Sequence, residues 1–322
     1  MTVAKYSVQG AALVSCLMLF PACPTFAQAP TAGGQMLQLP SEVIGMGMRH
    51  WENGFIAIRE PEKSSVVLYD RGGKRLWSTK IGFPDAVETS LRTVAIWPDG
   101  SVAVGGGARS ADGALAGFIA LIDSGGNTKR IVRTTPYIAW HMAVAGDGRL
   151  WTFGRRFLAP EAKVDEPHQM VRSFSKEGVQ EAAYFPRQSF TKWPHPASGA
   201  DLVLFRDRVG LYVTSRGEWV ELSAETGEVR TQTKIAQPSD FVLRGAAYGP
   251  NGELYVSGSR LDREAKKTVS VLAKVDPQSG AWTDLTASLE PDGIRASTIA
   301  GVDGNLLVLA DGAPEVYSYR MQ

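Results

Sequence analysis

The stretch VAIWPDGSVAVGG, residues 94–106, decides the fold. Its Asp99–Gly100 pair lies between two short apolar runs, and such a pair favours a tight hairpin turn. Related stretches recur along the chain: MAVAGDGRLWTFG at 142–154, AAYGPNGELYVSG at 246–258 and TIAGVDGNLLVLA at 298–310. Alternating apolar residues after each turn predict half-buried strands. The chain therefore repeats one β-hairpin.

A second phrase, a strand followed by a polar glycine turn and another strand, follows each hairpin. The turn glycines are Gly73, Gly126, Gly178, Gly227 and Gly280, spaced by 49 to 53 residues. Each repeat thus supplies four antiparallel strands, and the chain length accommodates six repeats. We predict an all-β fold, a six-bladed β-propeller with four-stranded antiparallel blades. The last repeat is one strand short, so an N-terminal strand starting at Gln35 is expected to close it and to cover its exposed edge.

Residues 1–27 have the features of a secretory signal peptide. They carry one charge, Lys5, then an apolar run at 11–22 and small residues around a cleavage point at Ala27. Both cysteines, Cys16 and Cys23, lie in this segment, and Leu13 to Cys16 loosely resembles a lipoprotein cleavage box. We expect a secreted or periplasmic protein, with a linker and candidate closing strand at 28–40 and the propeller at 41–322.

The charge and hydrophobicity of residues 28–322 exclude some classes of binding partner. Residues 28–322 contain 33 basic and 33 acidic side chains, and this neutral balance argues against nucleic-acid binding. Outside the leader, no apolar run reaches the roughly 18 residues that cross a bilayer, so we predict no membrane insertion. We also expect the exported chain to be a monomer.

The repeats resemble those of known propellers. The chain is similar to the six-bladed propellers of the broad NHL-like class, and GDGRLWTFG (146–154) resembles the repeat of streptogramin lyases. The segment YDRGGKRLW (69–77) resembles a blade turn of quinoprotein-type propellers, with Asp70, Gly73 and Trp77 in matching places. The lyase resemblance implies a catalytic histidine base with a metal close by, and His141 lies at the comparable innermost strand.

Alternate turns of such a blade lie on opposite faces of the propeller. The short turns share one face, whereas long and dissimilar loops occupy the other, where function is usually found. Arginines recur toward this second face: Arg92, Arg244 and Arg295 lie seven or eight residues before their turns, and Arg59, Arg109, Arg155, Arg216 and Arg260 end second strands. Guanidinium groups suit carboxylates, sulfates and phosphates. The alternative is that these arginines pair between blades and meet no ligand.

Three histidines are also expected on the loop face, namely His141, His168 and His195. They could converge as general acid and base or as metal ligands, although no close ligand spacing links any pair. The sequence contains no nucleophile elbow, P-loop, zinc-protease motif or metal-binding cysteine set, and we predict no cofactor and no metal.

The leading hypothesis from the sequence is an exported propeller that binds an anionic small molecule, glycan or protein segment at the channel mouth. Arg92, Arg244 and Arg295 would orient this ligand. The alternative is a lyase or hydrolase in which His141 is the base and arginines stabilise an anionic intermediate.

Overall fold

The recurring Asp-Gly and Asn-Gly turns each connect two antiparallel strands in the computed structural model of the protein. The structure describes residues 31–38, 48–60, 64–157, 169–186, 200–213, 217–249, 251–262, 264–287, 296–302, 305–310 and 315–320. The predicted leader, residues 1–27, lies outside this part of the chain.

The described strands form four-stranded antiparallel sheets. One strand, β1 (Thr31–Gln38), precedes the first blade. Blade 1 contains β2 (Met48–Glu52), β3 (Phe55–Glu60), β4 (Ser65–Tyr69) and β5 (Arg75–Lys80). Blade 2 contains β6 (Ala86–Ile96), β7 (Val102–Ser110), β8 (Leu115–Ile122) and β9 (Thr128–Arg133). Blade 3 contains β10 (Tyr137–Val144), β11 (Leu150–Arg156), β12 (Gln169–Phe174) and β13 (Gln180–Pro186).

Two further blades follow in the same order. Blade 4 contains β14 (Ala200–Phe205), β15 (Arg208–Val213), β16 (Glu218–Ser223) and β17 (Val229–Lys234). Blade 5 contains β18 (Val242–Tyr248), β19 (Leu254–Asp262), β20 (Lys267–Val275) and β21 (Trp282–Asp284). The fold is therefore an all-β propeller with four-stranded antiparallel blades.

The sequence predicts six blades, and the structure shows five that consist of four consecutive strands. The remaining sheet combines both ends of the chain: β22 (Ala296–Val302), β23 (Asn305–Ala310), β24 (Glu315–Arg320) and then β1. We call it the closing sheet. Strand β1 pairs antiparallel with β24, from Thr31 opposite Arg320 to Gln38 opposite Glu315. It begins four residues earlier than the predicted closing strand and takes the outer position expected for it.

The first strand of each blade lies at the centre of the propeller. These strands contact one another in chain order, β2 with β6, β6 with β10, β10 with β14 and β14 with β18. The apolar core lies between neighbouring blades. Trp151 and Val220, for example, belong to a buried cluster between blades 3 and 4, whereas Trp219 and Val256 belong to one between blades 4 and 5. Burial of these side chains is what holds adjacent blades together.

Glycine turns between the third and fourth strands also join neighbouring blades. Gly126 has a φ of +86°, and a Cβ there would overlap the ring of Trp77 on the outer strand of the preceding blade. Gly227, with a φ of +72°, meets Tyr184 in the same way. Glycine is therefore required both by the backbone conformation and by the close approach of an aromatic ring. Gly126 and Gly227 therefore make the same type of contact with the preceding blade.

The acidic residues of the short turns stabilise their own backbone. Asp70 Oδ1 accepts hydrogen bonds from the amides of Gly72 and Lys74, both at 2.9 Å. Asp123 Oδ1 accepts from the amides of Gly125 and Asn127, at 3.1 and 2.8 Å. Such side-chain caps are a usual reason for aspartate in a turn. The acids of this face are thus explained by turn geometry.

Blade 4 departs from the repeat, because no Asp-Gly or Asn-Gly pair joins its first two strands. Its first two strands are joined by Arg206 and Asp207 alone, and Arg206 has a φ of +53°. Within the described residues, no helix is long and apolar enough to cross a membrane.

Candidate functional site: the bulged inner strands

Three inner strands carry a β-bulge at the same distance from the turn that follows. In β6, Leu91 and Thr93 pair with consecutive glycines, which leaves Arg92 without a partner in the ladder. Trp140 is skipped in the same way in β10, and Arg244 in β18. Each lies seven residues before the Asp or Asn of its turn. Bulges often re-aim a side chain beside a functional site, so this repeat marks one level of the channel.

A glycine on the second strand makes each bulge possible. A Cβ on Gly106 would overlap the carbonyl oxygen of Ser90, two residues before the bulged Arg92. A Cβ on Gly154 would overlap the carbonyl of Ile138, and one on Gly258 the carbonyl of Val242, again two residues before the bulged position. The glycine that ends three of the quoted repeats therefore accommodates the bent inner strand.

Arginines gather around Trp140. The guanidinium carbon of Arg92 lies 4.8 Å from the centroid of the Trp140 ring, and that of Arg155 lies 5.6 Å from it. Both distances fit cation–π stacking, which holds each guanidinium against the Trp140 ring. We call Arg59, Arg92, Trp140 and Arg155 the Arg–Trp cluster.

Arg59 belongs to this cluster but is buried, with 5% of its surface exposed. Its Nη1 donates to the carbonyl oxygen of Leu91 at 3.1 Å. Burial, and then the positive charge of Arg92, lower the pKa of Arg59 to about 10, so it stays charged at neutral pH. The cluster therefore brings positive charges close together at one side of the channel.

A histidine and a carboxylate lie next to the cluster. His141 follows Trp140 directly, and its Nδ1 lies 3.5 Å from Oδ1 of Asp201 on β14. Asp201 is held by the backbone, because Oδ1 accepts from its neighbour Leu202 at 2.9 Å and Oδ2 accepts from the amide of Ala246 on β18 at 2.8 Å. The two side chains are 22% and 27% exposed. A fixed carboxylate beside Nδ1 is the arrangement that orients a histidine for proton transfer.

Glu52 occupies the other end of the inner strands, beside the short turns. Its carboxylate accepts from the amide of Ile96 on β6 at 2.6 Å and from the amide of Val144 on β10 at 2.7 Å. His50 Nε2 lies 3.2 Å from the same carboxylate. Glu52 thus links the inner strands of three blades, and these contacts give it a structural role.

The other predicted arginines differ in their surroundings. Arg109 lies 3.6 Å from Glu88, and both side chains are largely exposed, so this arginine is partly neutralised. Arg260 is exposed near the end of β19. Arg92 and Arg244 are exposed too, and among the described residues neither has an ion pair or a side-chain hydrogen bond. Four of the predicted site residues lie outside the part of the chain that the structure describes: Arg216, Arg295, His168 and His195.

The structure therefore brings Arg59, Arg92 and Arg155 together and leaves Arg109 and Arg260 on separate strand ends. Trp140 and Glu52 are absent from the predicted site. Trp140 could have been found, because it has the same offset from its turn as Arg92 and Arg244.

In the described ranges, no group of three or more His, Cys, Asp or Glu residues is placed to hold a metal ion.

No family model matches the sequence, and no curated protein matches it. Among solved structures, hydrazine synthase of Kuenenia stuttgartiensis matches with a TM-score of 0.50 and 10% identity, over 82% of this chain and 69% of that one. A luciferin-regenerating enzyme matches with a TM-score of 0.49 and 12% identity, over 90% and 94% of the two chains. The β-propeller domain of Cps50 (Swd1) from Myceliophteria thermophila matches with a TM-score of 0.45 and 11% identity, over 85% and 96%. At such identities, likeness concerns the fold and not the activity.

Proposed function

We propose that this protein is an exported β-propeller that binds an anionic small molecule, glycan or protein segment at the mouth of its channel. The observation that carries the proposal is the pair Arg92 and Arg244. Both are bulged residues at equivalent places, both are exposed, and neither has an ion pair among the described residues. Unpaired guanidinium groups at a shared level favour an anionic ligand.

We also propose that the closing sheet acts as the sixth blade of a closed ring. This is supported by the contacts of β22 with β18 on one side and with β2 on the other. A closed ring leaves only short, protected sheet edges. Membership of the NHL-like class is part of the same proposal and depends on the repeat motifs.

Binding is tested by a thermal-shift screen of the exported protein against uronates, sulfated sugars and phosphates. The expected result is stabilisation by at least one anion, because a ligand that binds only the folded state raises its stability. Arg92→Ala combined with Arg244→Ala should abolish this effect. Arg149→Ala is the matched control, since Arg149 also stacks on a tryptophan, Trp151, but is paired with Asp147 on the short-turn face. Stabilisation that persists in the double variant contradicts the proposal.

Export is tested by expressing the full-length chain in a bacterial host and measuring the mass of the recovered protein. Cleavage after Ala27 is expected. A retained leader, or an added lipid mass, contradicts the proposed exported and soluble form.

A second candidate function is a lyase or hydrolase with His141 as general base. The observation in its favour is the contact of His141 with Asp201, which backbone amides hold in place beside the Arg–Trp cluster. The cluster would then stabilise negative charge that develops on the substrate. Turnover of an anion found in the screen, lost in His141→Gln but with binding retained, would support the enzyme. Binding without turnover supports the binding protein instead.

A further inference from the structure

We propose that the ligand carries two anionic groups held apart, one bound by Arg92 and the other by Arg244. This inference rests on the proposed function, since it assigns the ligand class of the same site.

Strands β6 and β18, which carry Arg92 and Arg244, lie opposite each other in the ring of inner strands. Between β6 and β18 lie β10 and β14 on one side, with contacts at every step. On the other side lie β2 and β22, again with contacts at every step. The two arginines are therefore three strands apart in either direction, which places them on opposite sides of the channel. A single carboxylate or sulfate bound at one arginine therefore lies across the channel from the other arginine.

Arg92 and Arg244 also lie at the same level along the channel. Arg92 and Arg244 are skipped at the same place in their ladders, each seven residues before the turn. The residue before each arginine, Leu91 or Leu243, pairs with a glycine on the second strand that admits the bent backbone, Gly106 and Gly258 respectively. Both arginine side chains therefore leave the backbone at the same level of the channel. This placement suits the two ends of one ligand.

The channel wall between the two arginines carries a negative charge, that of Asp201. Asp201 lies on β14, next to β18, and its carboxylate accepts from the amide of Ala246, two residues beyond Arg244. A carboxylate on this part of the channel wall opposes a further negative charge on the stretch of ligand that passes it and can accept hydrogen bonds from hydroxyl groups. The arrangement fits a diacid with a hydroxylated middle, such as a sugar diacid or a short oligosaccharide with an acidic group at each end.

The test compares acids that differ in the number of charges. The probes are galactarate, which has two carboxylates, against galactonate, which has one on the same six-carbon chain. A longer pair is digalacturonate against its monomethyl ester. Dissociation constants are measured by titration calorimetry at fixed ionic strength. In the wild type, at least one diacid should bind about tenfold or more tightly than its matched monoacid, because the second contact is intramolecular.

The variants show whether this preference comes from the two arginines. Arg92→Ala and Arg244→Ala should each bring the diacid and the monoacid to similar affinities, whereas Arg149→Ala should keep the preference. Equal binding of diacids and monoacids by the wild type overturns the two-group inference and leaves anion binding intact. A preference that survives in both single variants also overturns it. Absence of binding here and in the anion screen rejects both proposals.

Discussion

Arg59 donates a hydrogen bond from Nη1 to the carbonyl oxygen of Leu91, at 3.1 Å, and Leu91 is the residue just before the bulged Arg92. A buried arginine of blade 1 thus holds the backbone that aims an exposed arginine of blade 2. Burial, and then the positive charge of Arg92, lower the pKa of Arg59. Arg59 is therefore a positioning residue for Arg92.

Replacing Arg59 by methionine should weaken anion binding more than it weakens the fold. Methionine fills the buried space, and relief from burying a charge offsets the lost hydrogen bond, so the free energy of unfolding should change by less than about 1.5 kcal/mol. Affinity for an anion from the screen should fall about three- to tenfold. The backbone beside the bulge loses its hydrogen bond from Arg59, and the Arg–Trp cluster loses a positive charge. Calorimetric titration and urea unfolding measure the two effects.

Arg59→Lys separates charge from geometry. Lysine keeps the charge but not the planar fork of the guanidinium group. If Arg59 positions Arg92, affinity in this variant lies between those of the wild type and Arg59→Met. Affinity equal to wild type in both variants would leave Arg59 without a role at the site.

Gly154→Ala should destabilise the protein, because the added Cβ overlaps the carbonyl oxygen of Ile138 below the bulge at Trp140. The free energy of unfolding should fall by about 1–3 kcal/mol, as in other overpacked sites. Gly146→Ala is the matched control in the same blade, since a Cβ there meets no atom within 4 Å. It should be neutral or stabilising by up to about 1 kcal/mol. Equal effects in urea unfolding would refute the steric account of the bulge.

Glu52→Ala should lower the free energy of unfolding by about 2–4 kcal/mol. The change removes the acceptor of two short hydrogen bonds, from the amides of Ile96 and Val144, and leaves both donors inside the propeller. Glu88→Ala is the control, because Glu88 is 65% exposed and pairs only loosely with Arg109. Its effect should stay within about 0.5 kcal/mol. A loss no larger than this in Glu52→Ala would show that Glu52 does not link the blades.

Asp99 on the short-turn face should titrate well below its ordinary range. The hydrogen bond from Lys176, 2.6 Å long, and that from Ser101 lower the pKa of Asp99 to about 2. Because the folded value is depressed, the stabilisation is complete above about pH 4 and is lost as the pH falls toward 2. In Lys176→Met, the carboxyl carbon signal of Asp99 should titrate at higher pH in NMR spectra. An unchanged titration would mean that Lys176 does not determine this pKa.

The hairpin repeat is predictable from sequence because its causes are local. Asp99 and Gly100 specify a turn whatever surrounds them, and alternation after the turn specifies a half-buried strand. The outer position of β1 follows from a missing strand at the other end of the chain. The same local logic finds Arg92 and Arg244 by their offset from a turn, and it would have found Trp140.

The contacts between blades are not predictable in this way. Nothing near Arg59 in sequence indicates that its side chain reaches Leu91 in the next blade. The approach of Asp201 to His141 likewise joins residues of two blades. Glu52 accepts hydrogen bonds from Ile96 and Val144, which follow it in the chain by 44 and 92 residues. Such contacts depend on how the blades pack, which is a property of the whole ring.

The most direct test of the account is an NMR titration that follows arginine side-chain Nε–H signals while an anion from the screen is added. The signals of Arg92 and Arg244 should shift together and saturate at a common dissociation constant, whereas Arg149, paired with Asp147 beside a short turn, should not move. Shifts confined to Arg149 and other arginines of the short-turn face, or shifts that never saturate, would contradict binding at the channel mouth.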